Sequence, residues 1–157
     1  MINKNKTEKF LTLTISLILV VTIILSQGCK VADPELEKNK QLWHEKKTTD
    51  YDFVCEQFGG PMYGFVPMLI KVRDGKVISM EPTRERGQLE RIDGYEDFDT
   101  VEKMFDEIQQ AYNKSHFVRI TYNKDLGFPE DIIIDSMKSS DSGERVVISR
   151  FEVIKTN

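Results

Sequence analysis

The sequence predicts an α+β fold in which a single antiparallel sheet of about six strands carries two helices on one face. An apolar stripe at three-and-four spacing over residues 100–113 predicts an amphipathic helix. An Asp-Gly dipeptide between two β-rich runs over residues 70–79 predicts a hairpin. The order helix–strand–strand–strand (α-β-β-β) occurs twice, and one sheet covered on one side buries these stripes most economically. The chain of 157 residues fits one such domain with a short appendage.

The first helix is predicted to begin at Pro34, because Asp33 can cap it and proline suits the first helical position. Leu36 and Trp43 are seven residues apart, so they share one face of the helix. A strand over residues 51–56 follows. The remaining side chains of the helix are expected to be solvated: Lys38, Asn39, Lys40 and Gln41.

The strongest local signal is the hairpin turn at Asp74-Gly75, a dipeptide that supplies the two positive φ angles of a type I′ turn. In that register Val72 faces Val77 on one side of the sheet, and Lys71 faces Ile78 on the other. The residues predicted to face the core are Ile70, Val72 and Val77.

A charged connection over residues 83–98 separates the hairpin from the second helix, and we expect it to be solvated, with a binding loop as the alternative. Asp99 to Glu102 is predicted to form a capping box at the start of the helix over residues 100–113. Its core-facing stripe consists of Val101, Met104, Phe105, Ile108, Ala111 and Tyr112.

Three further strands complete the predicted sheet. In the first of them Val118, Ile120 and Tyr122 occupy alternate positions and therefore share one side. A polar turn and a polar loop separate the three strands, which are predicted over residues 117–123, 132–135 and 146–154.

The amino terminus has the pattern of an export signal. Three lysines precede an uncharged run over residues 10–25. This run is shorter than the roughly 20 residues that a membrane-crossing helix needs, but it matches the apolar core of a secretory signal.

Residues 25–29 (Leu-Ser-Gln-Gly-Cys) resemble the lipobox of bacterial lipoproteins, in which a small residue precedes a cysteine that is lipidated. Gly28 and Cys29 match its last two positions, whereas Ser26 stands where the motif has leucine. The resemblance implies a signal peptide over 1–28, a lipidated terminus and tether over 29–33, and one α+β domain over 34–157. An uncleaved signal anchor and ordinary cleavage near residues 26–28 are the alternatives.

A processed lipoprotein carries two or more acyl chains, which hold a soluble domain on the bilayer. The sequence therefore predicts a cell-envelope protein whose first partner is the membrane. In Gram-negative lipoproteins an aspartate directly after the lipidated cysteine is linked to inner-membrane retention. This chain has Lys30 at that position, so in such a cell we expect an outer-membrane location. The formal net charge of −4 offers no basic field for nucleic acid.

Candidate catalytic chemistry is sparse. Cys55 is the only thiol left once Cys29 is acylated, and its position within a strand predicts a buried small side chain. His44 and His116 lie in no metal-ligand or nucleophile motif, and no pair of carboxylates is singled out by spacing. We therefore predict no catalytic residue, no metal and no cofactor.

One connection has a composition typical of recognition loops. Residues 58–67 combine glycines and prolines with Met62, Tyr63 and Phe65, which we consider as a recognition loop. The alternative is a loop that covers the end of the sheet and buries Tyr63 and Phe65. The expected function is a non-enzymatic binding, inhibitory or assembly-accessory module with an envelope protein or peptide as partner. A small hydrolase or redox enzyme using Cys55 or a carboxylate pair is the alternative.

Several motifs together resemble an uncharacterised family of small bacterial lipoproteins. They are the tryptophan-bearing first helix before residues 51–53 (Tyr-Asp-Phe), the V-x-D-G-x-V core over 72–77, and the run 122–129 (YNKDLGFP) followed by I-x-I-D over 132–135. The resemblance covers about residues 40–154 and implies no catalytic residues. Where many members carry a close cysteine pair, this chain has Cys55 alone, so a disulfide is not implied.

Overall fold

The computed structural model describes residues 33–59, 65–88, 90–136 and 143–155, all of which belong to the compact unit Val31–Asn157. The predicted element order is confirmed. The elements are α1 (Pro34–Lys46), β1 (Tyr51–Phe58), β2 (Met68–Arg73), β3 (Lys76–Pro82), α2 (Val101–Asn113), β4 (Phe117–Tyr122), β5 (Pro129–Asp135) and β6 (Glu144–Val153).

The strands of this part of the chain form one open antiparallel sheet in the order β3-β2-β1-β6-β5-β4. Both helices lie on the same face, as predicted, since both contact Tyr51 of β1. The Trp43 ring of α1 lies 5.4 Å from the Tyr51 ring, edge to face. The backbone N–H of Val101 in α2 donates to the Tyr51 hydroxyl at 3.1 Å. The core therefore fills the space between this face and the helices.

Helix α1 begins as predicted. Asp33 accepts hydrogen bonds from the backbone N–H groups of Glu35 and Leu36, and Leu36 and Trp43 are buried. The prediction of a solvated Asn39 is wrong: its side chain donates to the Glu35 carbonyl, and the residue is buried. The turn before β5 packs so closely on α1 that a Cβ at Gly127 would lie 2.5 Å from the Asn39 carbonyl oxygen.

Helix α2 has the predicted extent and a buried stripe, but its cap differs from the predicted box. The N-cap is Thr100, whose hydroxyl accepts from the Lys103 N–H at 3.3 Å. Since Lys103 occupies the position where a capping box needs a glutamate, Glu102 is left for other partners. The stripe residues that are buried are Val101, Met104, Phe105, Ile108 and Ala111.

The hairpin turn adopts the predicted conformation, with φ of 52° at Asp74 and 68° at Gly75. Val72 pairs with Val77 as expected, and Ile70 and Val72 are buried while Val77 packs partly buried against the core. The predicted pairing of Lys71 with Ile78 is wrong, because a β-bulge places Lys71 opposite Ser79. The bulge leaves the Ile78 side chain 61% exposed.

The connection over residues 83–98 is solvated only in part. Its described residues end in two buried aromatic side chains, Tyr95 and Phe98. The Tyr95 hydroxyl donates to the Val66 carbonyl at 2.7 Å, and the Gln57 side chain donates to the Gly94 carbonyl at 3.0 Å. The expectation of a purely solvated connection is therefore wrong for its C-terminal part, which closes the core beside β1.

Candidate functional site

The side of the sheet opposite α1 and α2 carries the chemistry that the core does not use, and we call it the helix-free face. Alternate residues of each strand point to this side. In β1 the residues on the core side are Tyr51, Phe53 and Cys55. The strand register assigns to the helix-free face Asp52, Val54, Glu56, Phe58, Leu69, Lys71, Ser79, Glu81, Phe117, Arg119, Thr121, Asp131, Ile133, Arg145, Val147 and Ser149.

Two ion pairs hold opposite charges together on this face. The Arg73 guanidinium donates to the Asp52 carboxylate at 2.6 Å, between β2 and β1. Arg145 makes a two-pronged contact with Asp131 at 2.9 and 2.7 Å, between β6 and β5. These hydrogen bonds to a carboxylate raise the pKa of both arginines, so both remain charged.

A row of large side chains crosses four strands near one end of the face. In the register Phe58 lies opposite Arg145, Arg145 opposite Ile133, and Ile133 opposite Arg119. The Arg145 guanidinium lies 5.9 Å from the Phe58 ring centroid, and that of Arg119 lies 5.7 Å from the Phe117 ring. Phe58 and Phe117 are 48% and 47% exposed. We call these five residues the aromatic–arginine stripe.

A shallow depression of about 300 Å³ lies on the other half of the same face. Its floor includes Val54 of β1 and Leu69 of β2, and Glu81 and Arg150 contribute opposite charges to its lining. Val54 is only 4% exposed although no helix covers it, whereas Glu81 and Arg150 are exposed. The remaining lining residues are Pro82 and Thr83.

A β-bulge in β6 brings Arg150 to the depression. Val54 pairs with Ser149 and Asp52 with Glu152, so Arg150 and Phe151 together oppose the single residue between them in β1. Arg150 takes a φ of 49°, in the left-handed region. The extra residue turns Phe151 to the core side, where its ring stacks at 4.0 Å on Phe128.

Cys55 lies on the covered face, away from this depression. It is fully buried, as predicted, and lies opposite Met68 and Ile148 in the sheet. Burial raises the pKa of its thiol, and the negative charges of nearby carboxylates, Glu56 first, raise it further. A thiol with a raised pKa stays protonated and is a poor nucleophile.

The two histidines lie elsewhere. His44 is exposed on α1, and His116 is half-buried just before β4. Within the described ranges, no group of three histidine, cysteine or carboxylate side chains is placed to hold a metal ion.

The best-connected polar group of the covered face is the Glu102 carboxylate in the first turn of α2. It accepts from the Trp43 indole N–H at 2.9 Å and from the Tyr51 hydroxyl at 3.4 Å. Burial is the main cause that raises the Tyr51 pKa, so the hydroxyl stays protonated. The group ties α1, β1 and α2 together and is structural. Sequence reasoning assigned Glu102 only to a cap, and no local pattern links it to the single tryptophan.

The residues of the predicted recognition loop are placed only in part. Met62 and Tyr63 lie outside the described residues, as do Gly28 and Cys29. Phe65 is half-buried, with its ring 5.9 Å from that of Tyr95, edge to face, and the Arg91 guanidinium 5.4 Å from its centroid. For Phe65 this arrangement fits the alternative of a loop that covers the core. Sequence reasoning missed the depression, because Val54, Leu69, Glu81 and Arg150 come together only through pairing of distant strands.

No helix within the described part of the chain is long and apolar enough to cross a membrane. No curated protein and no solved structure shows significant similarity to the chain. The sequence profile of a family of unknown function, DUF6174, matches residues 35–153. This range contains every described helix and strand of the sheet domain except the first residue of α1. The chain therefore belongs to this family.

Proposed function

We propose that the protein is a bacterial envelope lipoprotein, anchored through acyl chains on Cys29, whose sheet domain binds an envelope protein or peptide on its helix-free face. The anchor is supported by the export signal and the lipobox-like residues before Cys29. In a Gram-negative cell the anchored domain belongs to the outer membrane, since Lys30 follows the cysteine.

The observation that carries the binding role is the aromatic–arginine stripe. Aromatic and arginine side chains are enriched at protein interfaces and supply most of the binding energy there. Here Phe58 and Phe117 are about half exposed, and each lies beneath a guanidinium. Ile133 joins the two pairs across the sheet. The result is a surface with apolar area and charge side by side.

An enzymatic role has less support. The thiol of Cys55 is buried with a raised pKa, so a nucleophilic or redox step would first need the core to open. Among carboxylates, Glu144 has a raised pKa because of desolvation and the negative charges of Asp97 and Glu107. It remains solvent-accessible at the start of β6, and its pairing with Ile134 places it on the covered side of the sheet, away from the depression and the stripe.

The anchor is tested by metabolic labelling with a radioactive fatty acid. We expect the wild type to be labelled and to sediment with membranes, and Cys29→Ser to lose both properties. Cys55→Ser is the matched control, since it removes the other cysteine and should keep the label. An unlabelled wild type in the soluble fraction would contradict the proposal.

The binding face is tested by photo-crosslinking in native membranes. A photoreactive residue in place of Thr121, exposed on the helix-free face, is compared with one in place of Gln41, exposed on α1. We expect a discrete adduct from the first position only, and its loss when Ile133→Glu adds a charge within the stripe. Equal adducts from both positions, or an adduct insensitive to Ile133→Glu, would overturn the proposal.

A further inference from the structure

Arg150 lies at the edge of a preformed depression and has no charge partner among the described residues. On the same face Arg73 and Arg145 each hold a carboxylate, and Arg119 stacks on Phe117. Among the residues that the structure describes, Arg150 has neither a carboxylate within 4.0 Å nor an aromatic ring beneath its guanidinium. Its positive charge is therefore available to a ligand.

The backbone gives a second, independent observation. At the bulge in β6 Arg150 lies in the left-handed region, and Phe151 points to the core. Glycine adopts this conformation without cost, whereas a residue with a Cβ is disfavoured. Arginine at this position is thus not explained by the needs of the backbone. Residues held in disfavoured conformations are concentrated at binding sites, and bulges commonly direct a side chain toward one.

The lining of the depression selects the ligand. Val54 and Leu69 provide an apolar floor, and Arg150 provides a guanidinium that suits a carboxylate. Glu81 of β3 adds a negative charge to the lining. Its carboxylate accepts a hydrogen bond from the Ser79 hydroxyl at 2.7 Å. Strands are about 4.8 Å apart, so Glu81 on β3 and Arg150 on β6 bracket the floor formed by β2 and β1.

The open shape excludes a ligand that must be enclosed. Small-molecule sites bury most of the ligand surface in a cleft, whereas this depression of about 300 Å³ lies open on a sheet surface. It suits one side chain of a longer partner whose remaining residues lie along the sheet.

We propose that the depression binds a glutamate side chain of an extended partner peptide, with its methylene groups on Val54 and Leu69 and its carboxylate on Arg150. A basic residue of the same peptide then lies toward Glu81. This inference rests on the proposed binding role of the helix-free face and names the chemistry of the partner.

The test uses the full-length protein in detergent micelles and two blocked tetrapeptides as probes. Acetyl-Lys-Val-Glu-Val-amide is compared with acetyl-Lys-Val-Gln-Val-amide, which differs only by the carboxylate. Methyl NMR signals of Val54 and Leu69 report occupancy of the depression. We expect saturable shifts with the glutamate peptide and about tenfold weaker binding of the glutamine peptide, because a charge-assisted hydrogen bond is lost.

Three variants separate the role of Arg150 from general charge effects. Arg150→Gln should weaken binding of the glutamate peptide about tenfold, so that it binds no better than the glutamine peptide. Arg91→Gln is the matched control, because it removes an exposed arginine of the connection over residues 83–98, outside the helix-free face, and it should leave binding unchanged. Arg150→Gly should abolish the preference for glutamate while raising Tm by about 3 °C, since glycine relieves the disfavoured conformation.

Equal binding of the two peptides, full binding by Arg150→Gln, or equal losses in Arg150→Gln and Arg91→Gln would each overturn the inference. A lower Tm in Arg150→Gly would also overturn it, because the arginine would then be explained by stability. The crosslinking experiment at Thr121 tests the proposed binding role independently of the peptides. If the crosslinked adduct forms but the two peptides do not bind differently, only the inferred glutamate site is wrong.

Discussion

The two faces of the sheet are held by different kinds of interaction. On the covered face the Trp43 ring contacts those of Tyr51, Phe128 and Phe151 at centroid distances of 5.4 to 6.4 Å. On the helix-free face the best-formed contacts are ion pairs whose side chains remain partly exposed, such as Arg73 with Asp52. Partly exposed ion pairs contribute roughly 0–1 kcal/mol each, whereas truncating a buried aromatic costs about 3–5 kcal/mol.

This difference assigns separate tasks to the faces. Stability is concentrated in the aromatic core, so exposed side chains on the opposite face can be substituted with little effect on folding. A surface of that kind can carry unpaired charge and exposed rings, as Arg150, Phe58 and Phe117 do. Variants that are matched across the two faces test the comparison.

The largest contrast is expected between two phenylalanines of one strand. Phe53 is fully buried on the covered face, while Phe58 is 48% exposed on the helix-free face. We expect Phe53→Ala to lower the free energy of unfolding by about 3–5 kcal/mol through a cavity. Phe58→Ala should cost less than about 1 kcal/mol. Urea unfolding measures both, and similar losses would refute the division between the faces.

Two glycines with positive φ give the next contrast. A Cβ at Gly127 would lie 2.5 Å from the Asn39 carbonyl oxygen, so Gly127→Ala combines a clash with strain and should cost about 2–4 kcal/mol. Gly75 has open space around it, so Gly75→Val should cost about 1–2 kcal/mol from φ alone. Thermal melts at matched pH rank the two variants, and an unchanged melt for Gly75→Val would exclude the type I′ turn.

Cys55 tests whether the covered face behaves as a closed core. We expect a thiol-reactive probe to label it slowly in the native protein and rapidly after denaturation, because the side chain is fully buried. Cys55→Ser should lower the free energy of unfolding by about 1–3 kcal/mol through a buried hydroxyl, and Cys55→Ala should lower it less. Fast native labelling, or loss of a cellular phenotype in Cys55→Ala at unchanged protein level, would make the enzyme alternative the leading one.

The smallest effect is expected from an ion pair away from both faces. Hydrogen bonds from Arg84 and from the Gly87 N–H lower the pKa of Glu90 to about 2. A carboxylate with a lowered folded-state pKa contributes stability above its unfolded value of about 4.5, which is lost as the pH falls toward 2. When the pH is lowered from 5 to 2, the free energy of unfolding should therefore fall slightly less for Glu90→Gln than for the wild type. High salt should shrink the difference, and parallel pH profiles would show that the pair contributes nothing.

Local patterns in the sequence determined the elements. The type I′ turn was predictable, because Asp74 and Gly75 are residues that tolerate positive φ and are adjacent in the chain. The stripe of α2 and the burial of Cys55 followed from helical and strand periodicity, which depends only on spacing. The fold class was predictable because these amphipathic elements have few ways to bury their apolar sides together.

Only the tertiary structure decided the features that depend on partners distant in sequence. Asn39 is buried because the turn at Gly127 packs on α1, and Glu102 is a structural carboxylate because Trp43 and Tyr51 reach it. Arg150 adopts its left-handed conformation because strand pairing with β1 and the stacking of Phe151 require an extra residue there. Local sequence sets the preference of each residue for a conformation, but the pairing of strands sets which conformation, and which neighbours, each residue has in the folded protein.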